Sequence, residues 1–326
     1  MLILLATLKY KLLHPDKPVK IFTYDHVTFP LPAGHRFPVE KYSLLRQRIT
    51  AANGLTGIDL HPPSPAPLPH LYKAHTLEYV DRVLNGRLSR EEIRRVGLPW
   101  SPELVERVRY SVGATTSVCR FALQEGIAVS LGGGTHHACR AEGQGFCMFN
   151  DIMVALRVMQ AEGRIRRALV VDCDVHQGNG TAEIAQRDPT IFTFSIHGEK
   201  NFPYRKIPGD LDIGLPDKTG DDAYLTALRT GLNSALALSR PDMVVYLAGA
   251  DVYERDRLGR LALTKAGIAA RDQLVLTRCR QDQLPVAVTM AGGYGLVIHE
   301  TVEIQFQTVQ LALAAHRQMN NWPPVK

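Results

Sequence analysis

The sequence predicts an α/β protein of three layers, with a central, mostly parallel sheet and helices on both faces. Three observations lead there. Short, continuous apolar runs alternate with helical periodicity along most of the chain. The runs lack the apolar/polar alternation of a sheet with one wet face, so both faces are expected to be covered. Several runs end in glycine-rich loops that carry His, Asp or Tyr, and in open parallel sheets ligands bind beyond the carboxyl ends of the strands.

The elements follow in order. The first strand is expected near Ile21, and the Pro-rich stretch 61–69 reads as a surface connection. Ser101-Pro102 has the form of an N-cap with proline at the first helical position. Leu104, Val108, Val112, Thr115, Cys119 and Ala122 mark one helical face, which Gly126 stops. Ile127–Leu131 is the next strand, 151–161 a helix, 168–171 a strand and 191–195 another. Then come a helix over 221–239, a strand over 243–247, a helix over 264–279 and a strand over 286–290. No internal repeat interrupts the pattern. A single catalytic domain is expected over 21–326, with 1–20 an N-terminal extension. Its apolar stretch Leu2–Leu8 lacks a basic flank before it and a small-residue cleavage site after it, so it is not read as a signal peptide.

Composition narrows the function classes. Hydrophobic residues are 45% and charged residues 21% of 326, which excludes collagen-like, disordered and coiled-coil chains. The formal charge of +6 is mild for this length. Basic clusters at Arg94–Arg95, Arg164–Arg167 and Arg255–Arg260 are short and scattered, so no nucleic-acid partner is expected. No apolar run reaches the roughly 18–20 residues of a bilayer span. The five cysteines form no C-x-x-C pair, which argues for a reducing, cytoplasmic setting.

The strand ends carry the chemistry. In Asp172-x-Asp174-x-His176 the period of two would point all three side chains one way in extended chain. Two carboxylates and an imidazole brought together call for a cation. The alternative is a strand end with an Asx-turn and a core histidine. A thiolate-free N/O set with open positions suits catalytic Zn²⁺ or Fe²⁺, and Cys173 points away as core. The adjacent His136 and His137 would either share proton transfer beside a metal-bound water or both be ligands; the plainer alternative is a His/Gly-rich surface loop. Tyr294, between glycines, could hold an oxyanion or simply pack as an aromatic.

These segments together resemble the histone deacetylase and acetylpolyamine amidohydrolase superfamily, within the arginase/deacetylase fold. The matching stretches are Gly-Gly-Gly-Thr-His136-His137-Ala, Gly143-Gln-Gly-Phe146-Cys-Met-Phe-Asn150-Asp151, Val171-Asp172-Cys-Asp174-Val-His176-Gln-Gly-Asn179-Gly, Gly249-Ala-Asp251 with Asp256-Arg-Leu-Gly259, and Gly292-Gly-Tyr294. His176-Gln-Gly-Asn179-Gly, Tyr24-Asp25-His26 and Gly34-His35-Arg36-Phe37-Pro38 are most similar to the class IV branch and its bacterial relatives. The resemblance implies Zn²⁺ on Asp174, His176 and Asp251, with His137 as general base, His136 its partner oriented by Asp172, and Tyr294 polarising the amide carbonyl. It implies a narrow channel for an acyl-lysine side chain at Gly145 and Phe146, with Phe202 or Tyr204 facing Phe146 and Leu258 at the wall. It also implies a structural K⁺ at Asp172, Asp174, His176, Ser195 and Ile196. Removal of acetyl or longer acyl groups from lysine-like amines is the expected reaction.

One departure matters. Most deacetylases carry Asp where this chain has Asn179, and a neutral amide cannot raise the basicity of His137 as a carboxylate would. Three other functions compete: an acetylpolyamine amidohydrolase; a binuclear manganese ureohydrolase, for which the further bridging aspartates are missing from the strand ends; and a non-catalytic acyl-binding protein on the same fold.

Overall fold

The computed structural model describes residues 18–53 and 55–319. In chain order these form β1 (Val19–Phe22), α1 (Lys41–Thr50), β2 (Ile58–His61), α2 (Leu68–Leu71), α3 (Leu77–Leu84), α4 (Arg90–Val96), α5 (Pro102–Glu125), β3 (Ile127–Ser130), α6 (Asp151–Ala161), β4 (Ala168–Asp172), α7 (Asn179–Ala185), β5 (Ile191–Gly198), β6 (Leu211–Leu215), α8 (Asp221–Ser239), β7 (Met243–Leu247), α9 (Lys265–Gln281), β8 (Val286–Thr289) and α10 (Ile298–Arg317). The strands make one sheet in the order β2-β1-β3-β8-β7-β4-β5-β6. Every pairing is parallel, in agreement with the fold class expected.

Two cores follow from the period of two. Val129, Val171, Tyr246 and Val288 face one layer, with Leu45 of α1, Leu228 of α8, Val275 of α9 and Val309 of α10. Ala128, Val170, Val245 and Ala287 face the other, with Val112 of α5 and Met153 of α6. The cap of α5 is as the sequence implied: Ser101 Oγ accepts from Leu104 N at 3.1 Å, and Gly126 ends the helix at φ 90°. The dry faces explain why β3, β4, β7 and β8 read as continuous apolar runs.

The elements not read from the sequence lie where that pattern weakens. β2 and β6 are the sheet edges and only partly buried, with polar residues in alternation. α10 buries Thr301, Gln305 and Thr308 on its inner face, which breaks the apolar period. β5 runs to Gly198, three residues past the expected end. The strand expected near Ile21 begins at Val19, while the Leu2–Leu8 stretch lies outside the described residues. Among the described residues no helix is long and apolar enough to cross a membrane.

Candidate active site

Four loops at the carboxyl edge of the sheet, following β3, β4, β7 and β8, bring their polar residues to one place. The chain bends as soon as β4 ends at Asp172. The Asp-x-Asp-x-His triplet is therefore not extended, and its three side chains do not share one target. Asp172 turns to His136, whereas Asp174 and His176 meet Asp251 from the loop after β7; ligand atoms of these three lie within 4.8 Å of one another. His176 Nδ1 is 2.9 Å from Asp174 Oδ1 and 3.4 Å from Asp251 Oδ2.

Backbone amides hold the two carboxylates. Gly292 N donates to Asp174 Oδ2 at 2.8 Å and Val175 N to Asp251 Oδ1 at 2.9 Å. Asp251 Oδ2 is buried and accepts no hydrogen bond among the described residues. A Cβ on Gly292 would fall on Asp251 Oδ2 and crowd Asp174 Oδ2, so only glycine fits beside the pair. Burial and the neighbouring Asp174 push Asp251 up to about 7. Burial resists ionisation of Asp174 too, but His136 and His176 hold it well below the usual carboxylate range. Burial disfavours a charged His176, yet the two carboxylates raise it to about 10. One imidazole nitrogen and two carboxylate oxygens, converged and short of positive charge, match the donor set of a divalent transition ion.

The two adjacent histidines have opposite settings. Their ring centroids are 4.1 Å apart. His136 Nδ1 donates to Asp172 Oδ2 at 2.6 Å; burial opposes its charge, but Asp172 and Asp174 lift it to about 9. His137 Nδ1 donates to Asn179 Oδ1 at 2.7 Å. Burial, then repulsion from His136 and His176, drives His137 well below 6.5. The Asn179 bond leaves its Nε2 with a free lone pair. Neighbouring titratable groups pushed apart in this way are the mark of a base and its charged partner.

Tyr294 is placed by its own backbone. Its N–H donates to Asp256 Oδ2 at 2.6 Å, and its carbonyl accepts from Arg257 Nε at 3.0 Å. Burial, with Asp174 and Asp251 nearby, pushes the phenol well above 10, so it remains a donor. A cavity of about 590 Å³ runs from the surface to these groups and is lined by Gly145, Phe146, Phe202 and Leu258. Phe146 packs on Tyr294 at 5.8 Å and Phe202 stands edge-on to His137 at 4.9 Å. A Cβ at Gly145 would press on the His137 ring at 2.6 Å. Tyr204 also lines the cavity; it is 91% exposed and stands edge-on to Phe202. Of the residues expected around K⁺, Asp174 and His176 belong to the triad itself, and the others are Asp172 at the end of β4 and Ser195 and Ile196 of β5. Asp172 pairs with Ser195 in the β4–β5 register, and Ser195 Oγ already has a partner, His197 Nδ1 at 2.9 Å.

Three supporting residues had no role assigned from the sequence. Arg271 of α9 is fully buried and donates through Nη1 to Cys173 O at 3.2 Å and Gly249 O at 2.5 Å. It thereby ties the β4 and β7 loops that carry the triad. Asp256 caps Tyr294, as above, and Asn201 Nδ2 donates to Leu258 O at 2.7 Å. A charged residue in a helical pattern reads as solvent-facing, so nothing in the sequence marked Arg271.

Comparison with known proteins agrees with this geometry. Residues 35–309 match the family model described as the histone deacetylase domain. An uncharacterised protein of Picosynechococcus is 43% identical over 86% of this chain and 94% of its own. The acetoin utilization protein AcuC of Bacillus subtilis is 30% identical over 76% of this chain and 69% of its own. The histone deacetylase-like amidohydrolase of Pseudomonas aeruginosa is 27% identical over 83% and 73%. Among solved structures, a histone deacetylase homologue complexed with the compound SAHA superposes with a TM-score of 0.77 at 22% identity, covering 91% of this chain and 84% of that one. The fold, the matched domain and the relatives together establish that this chain belongs to the histone deacetylase family.

Proposed function

We propose that this protein is a zinc-dependent deacylase that hydrolyses acetyl-lysine and longer acyl-lysine amides in proteins or peptides. One observation carries the reading: His137, bonded through Nδ1 to Asn179, and His136, bonded through Nδ1 to Asp172, stand side by side next to the Asp174–His176–Asp251 triad, at the foot of a cavity of about 590 Å³. The buried Asp251 Oδ2 without a hydrogen bond marks the place for a cation, and the thiolate-free donor set favours Zn²⁺, with Fe²⁺ second.

An ion held there supplies acidity to a bound water and polarises the acyl oxygen. The chain's own residues do the rest. His137 Nε2 takes the proton of the attacking water. The Tyr294 hydroxyl donates to the acyl oxygen as charge develops. Asp172 keeps His136 protonated, which balances that charge. A histidine returns a proton to the leaving amine. Asn179 supports assignment to the class IV branch, and five free, buried cysteines suit a reducing compartment.

The mouth separates acyl-lysine from acetylpolyamine. Arg36, Arg95, Lys200, Arg257 and Arg260 line the cavity, and Asp174, at its foot, is the only carboxylate among the described lining residues. Arg95 and Arg260 have acidic partners, but Arg36 and Lys200 make no ion pair among the described residues. A polycation is repelled by such a rim. The test is hydrolysis of an acetyl-lysine peptide against an acetylpolyamine. The expected result is turnover of the peptide, lost in Asp174→Asn and His137→Ala. Activity that survives both changes contradicts the site, and absence of hydrolysis on every acyl chain favours the non-catalytic alternative.

A further inference from the structure

Separate segments of the chain bring exposed cations together around the mouth of the cavity. We infer that this rim is a recognition surface for the peptide on either side of the acyl-lysine, and that it selects lysines flanked by Asp or Glu. The inference rests on the deacylase reading above and deepens it by naming the surroundings of the lysine.

Arg36 belongs to the loop between β1 and α1, Arg95 to the last turn of α4, Lys200 to the loop after β5, and Arg257 and Arg260 to the loop after β7. All are exposed, and all line the cavity that leads to the triad. Hydrogen bonds fix them to the channel. Gly145 N donates to Arg95 O at 3.1 Å. Arg257 Nε donates to Tyr294 O at 3.0 Å, and Arg260 N donates to Asn201 Oδ1 at 3.2 Å, next to Phe202. Tyr204 stands among them, 91% exposed and edge-on to Phe202. Arginines around an exposed tyrosine have the composition of a protein-binding surface.

The rim is not neutralised by its own acids. Arg95 pairs with Glu91 and Glu142, and Arg260 with Asp217. Arg36, Lys200 and Arg257 make no ion pair among the described residues. Glu199 is next to Lys200 in sequence but packs toward the sheet edge, where a Cβ on Gly214 would meet its Cβ at 3.5 Å. Asp174, the only carboxylate among the described lining residues, lies at the foot and belongs to the triad. Lys41 and Arg107 also line the cavity, but they are 1% and 5% exposed and lie away from a flanking residue at the mouth. A cleft edged by one sign of charge focuses its field outward. An extended peptide advances roughly 3.4 Å per residue, so the close neighbours of the acyl-lysine pass over the rim. Asp or Glu there meets opposite charge, and Lys or Arg meets like charge.

The test compares peptides of equal length with one central acetyl-lysine, flanked on each side by a pair of Asp, Gln or Lys residues, on wild type and on the double variant Arg36→Glu, Lys200→Glu. Both positions are exposed and outside helices and strands, so the variant is expected to fold. The expected order of kcat/KM in wild type is Asp above Gln above Lys, with Asp over Lys roughly tenfold at low salt and shrinking toward unity in about 0.5 M NaCl. In the double variant that ratio falls at least about fivefold. The ratio within each protein cancels general losses of activity. An Asp-flanked peptide no better than the Gln-flanked one, or a ratio left unchanged by either the salt or the double variant, overturns the inference and leaves the deacylase reading standing. Failure on every peptide overturns that reading, and fluorescence anisotropy with the same peptides, labelled, then decides the rim. Tighter binding of the Asp-flanked peptide, weakened at least about threefold in the double variant, supports it, and equal binding of all peptides rules it out.

Discussion

The amide oxygen of Asn179 lies 2.7 Å from Nδ1 of His137 and accepts its proton without bringing a negative charge. The bond fixes the tautomer that leaves Nε2 free, while burial and two neighbouring histidines hold the ring well below 6.5. A carboxylate at the same place would fix the same tautomer and also stabilise the imidazolium. Asn179→Asp is therefore expected to shift the acidic limb of the kcat/KM profile upward by about one pH unit or more. The base is then neutral over a narrower range, and activity on the acidic side falls. A pH–rate profile of both proteins checks this, and an unmoved acidic limb contradicts the role of His137.

Tyr294 remains a phenol because burial and the Asp174 and Asp251 carboxylates oppose its ionisation. Its backbone anchors, Asp256 and Arg257, do not involve the hydroxyl. Tyr294→Phe should keep the fold and lower kcat by roughly 10²–10³ with little change in KM, the loss expected when one oxyanion donor is removed. Steady-state kinetics on an acetyl-lysine peptide measure it, and a loss confined to KM would assign Tyr294 to substrate binding instead.

Arg271 joins the carbonyls of Cys173 and Gly249 and pairs with Asp272 at 2.8 Å, which also accepts from Tyr246 and Thr308. Arg271→Met leaves Asp272 buried without its cation, at a cost of roughly 3–5 kcal/mol. It also frees the two triad loops, so metal affinity should fall about 10- to 100-fold. Denaturant titration and chelator competition read the two effects separately. Unchanged metal affinity would mean that the loops hold their positions without Arg271.

The parallel sheet and most of the triad were legible because they depend on local pattern. Dry strands read as apolar runs, and the loops after β3, β4, β7 and β8 carried their histidines, aspartates and tyrosine in plain view. The period of two misled at Asp172, since the chain leaves the strand just there and sends Asp172 to His136. Tyr204 lines the cavity beside Phe202 as expected, but its 91% exposure is decided by the path of its loop and could not be read from the sequence. Lys41, Arg107 and Arg271 were invisible for a shared reason. A cation in a helical pattern is expected at the surface, and its burial is decided by segments far away in sequence.

Buried His75 ties two loops together: its Nδ1 donates to Cys139 O at 2.9 Å and its Nε2 accepts from Asn150 N at 2.9 Å. Burial lowers it from 6.5 to about 4. The unfolded chain therefore binds a proton that the folded chain refuses between these values, so stability rises with pH across that window. The contribution is complete above about 6.5 and is lost as pH falls to about 4, amounting to roughly 3 kcal/mol. His75→Gln, which can keep a donor and an acceptor, should flatten the fall of Tm from pH 7 to 4. An equally steep fall in the variant would assign the acid sensitivity to other groups.

The central claim is that Asp174, His176 and Asp251 grip one ion on which amide hydrolysis depends. The most direct measurement is metal content and acyl-lysine turnover on the same preparation, before and after exhaustive chelation. The account predicts close to one transition ion per chain, loss of turnover in step with loss of that ion, and recovery on adding Zn²⁺. Undiminished turnover by protein stripped of metal would contradict it.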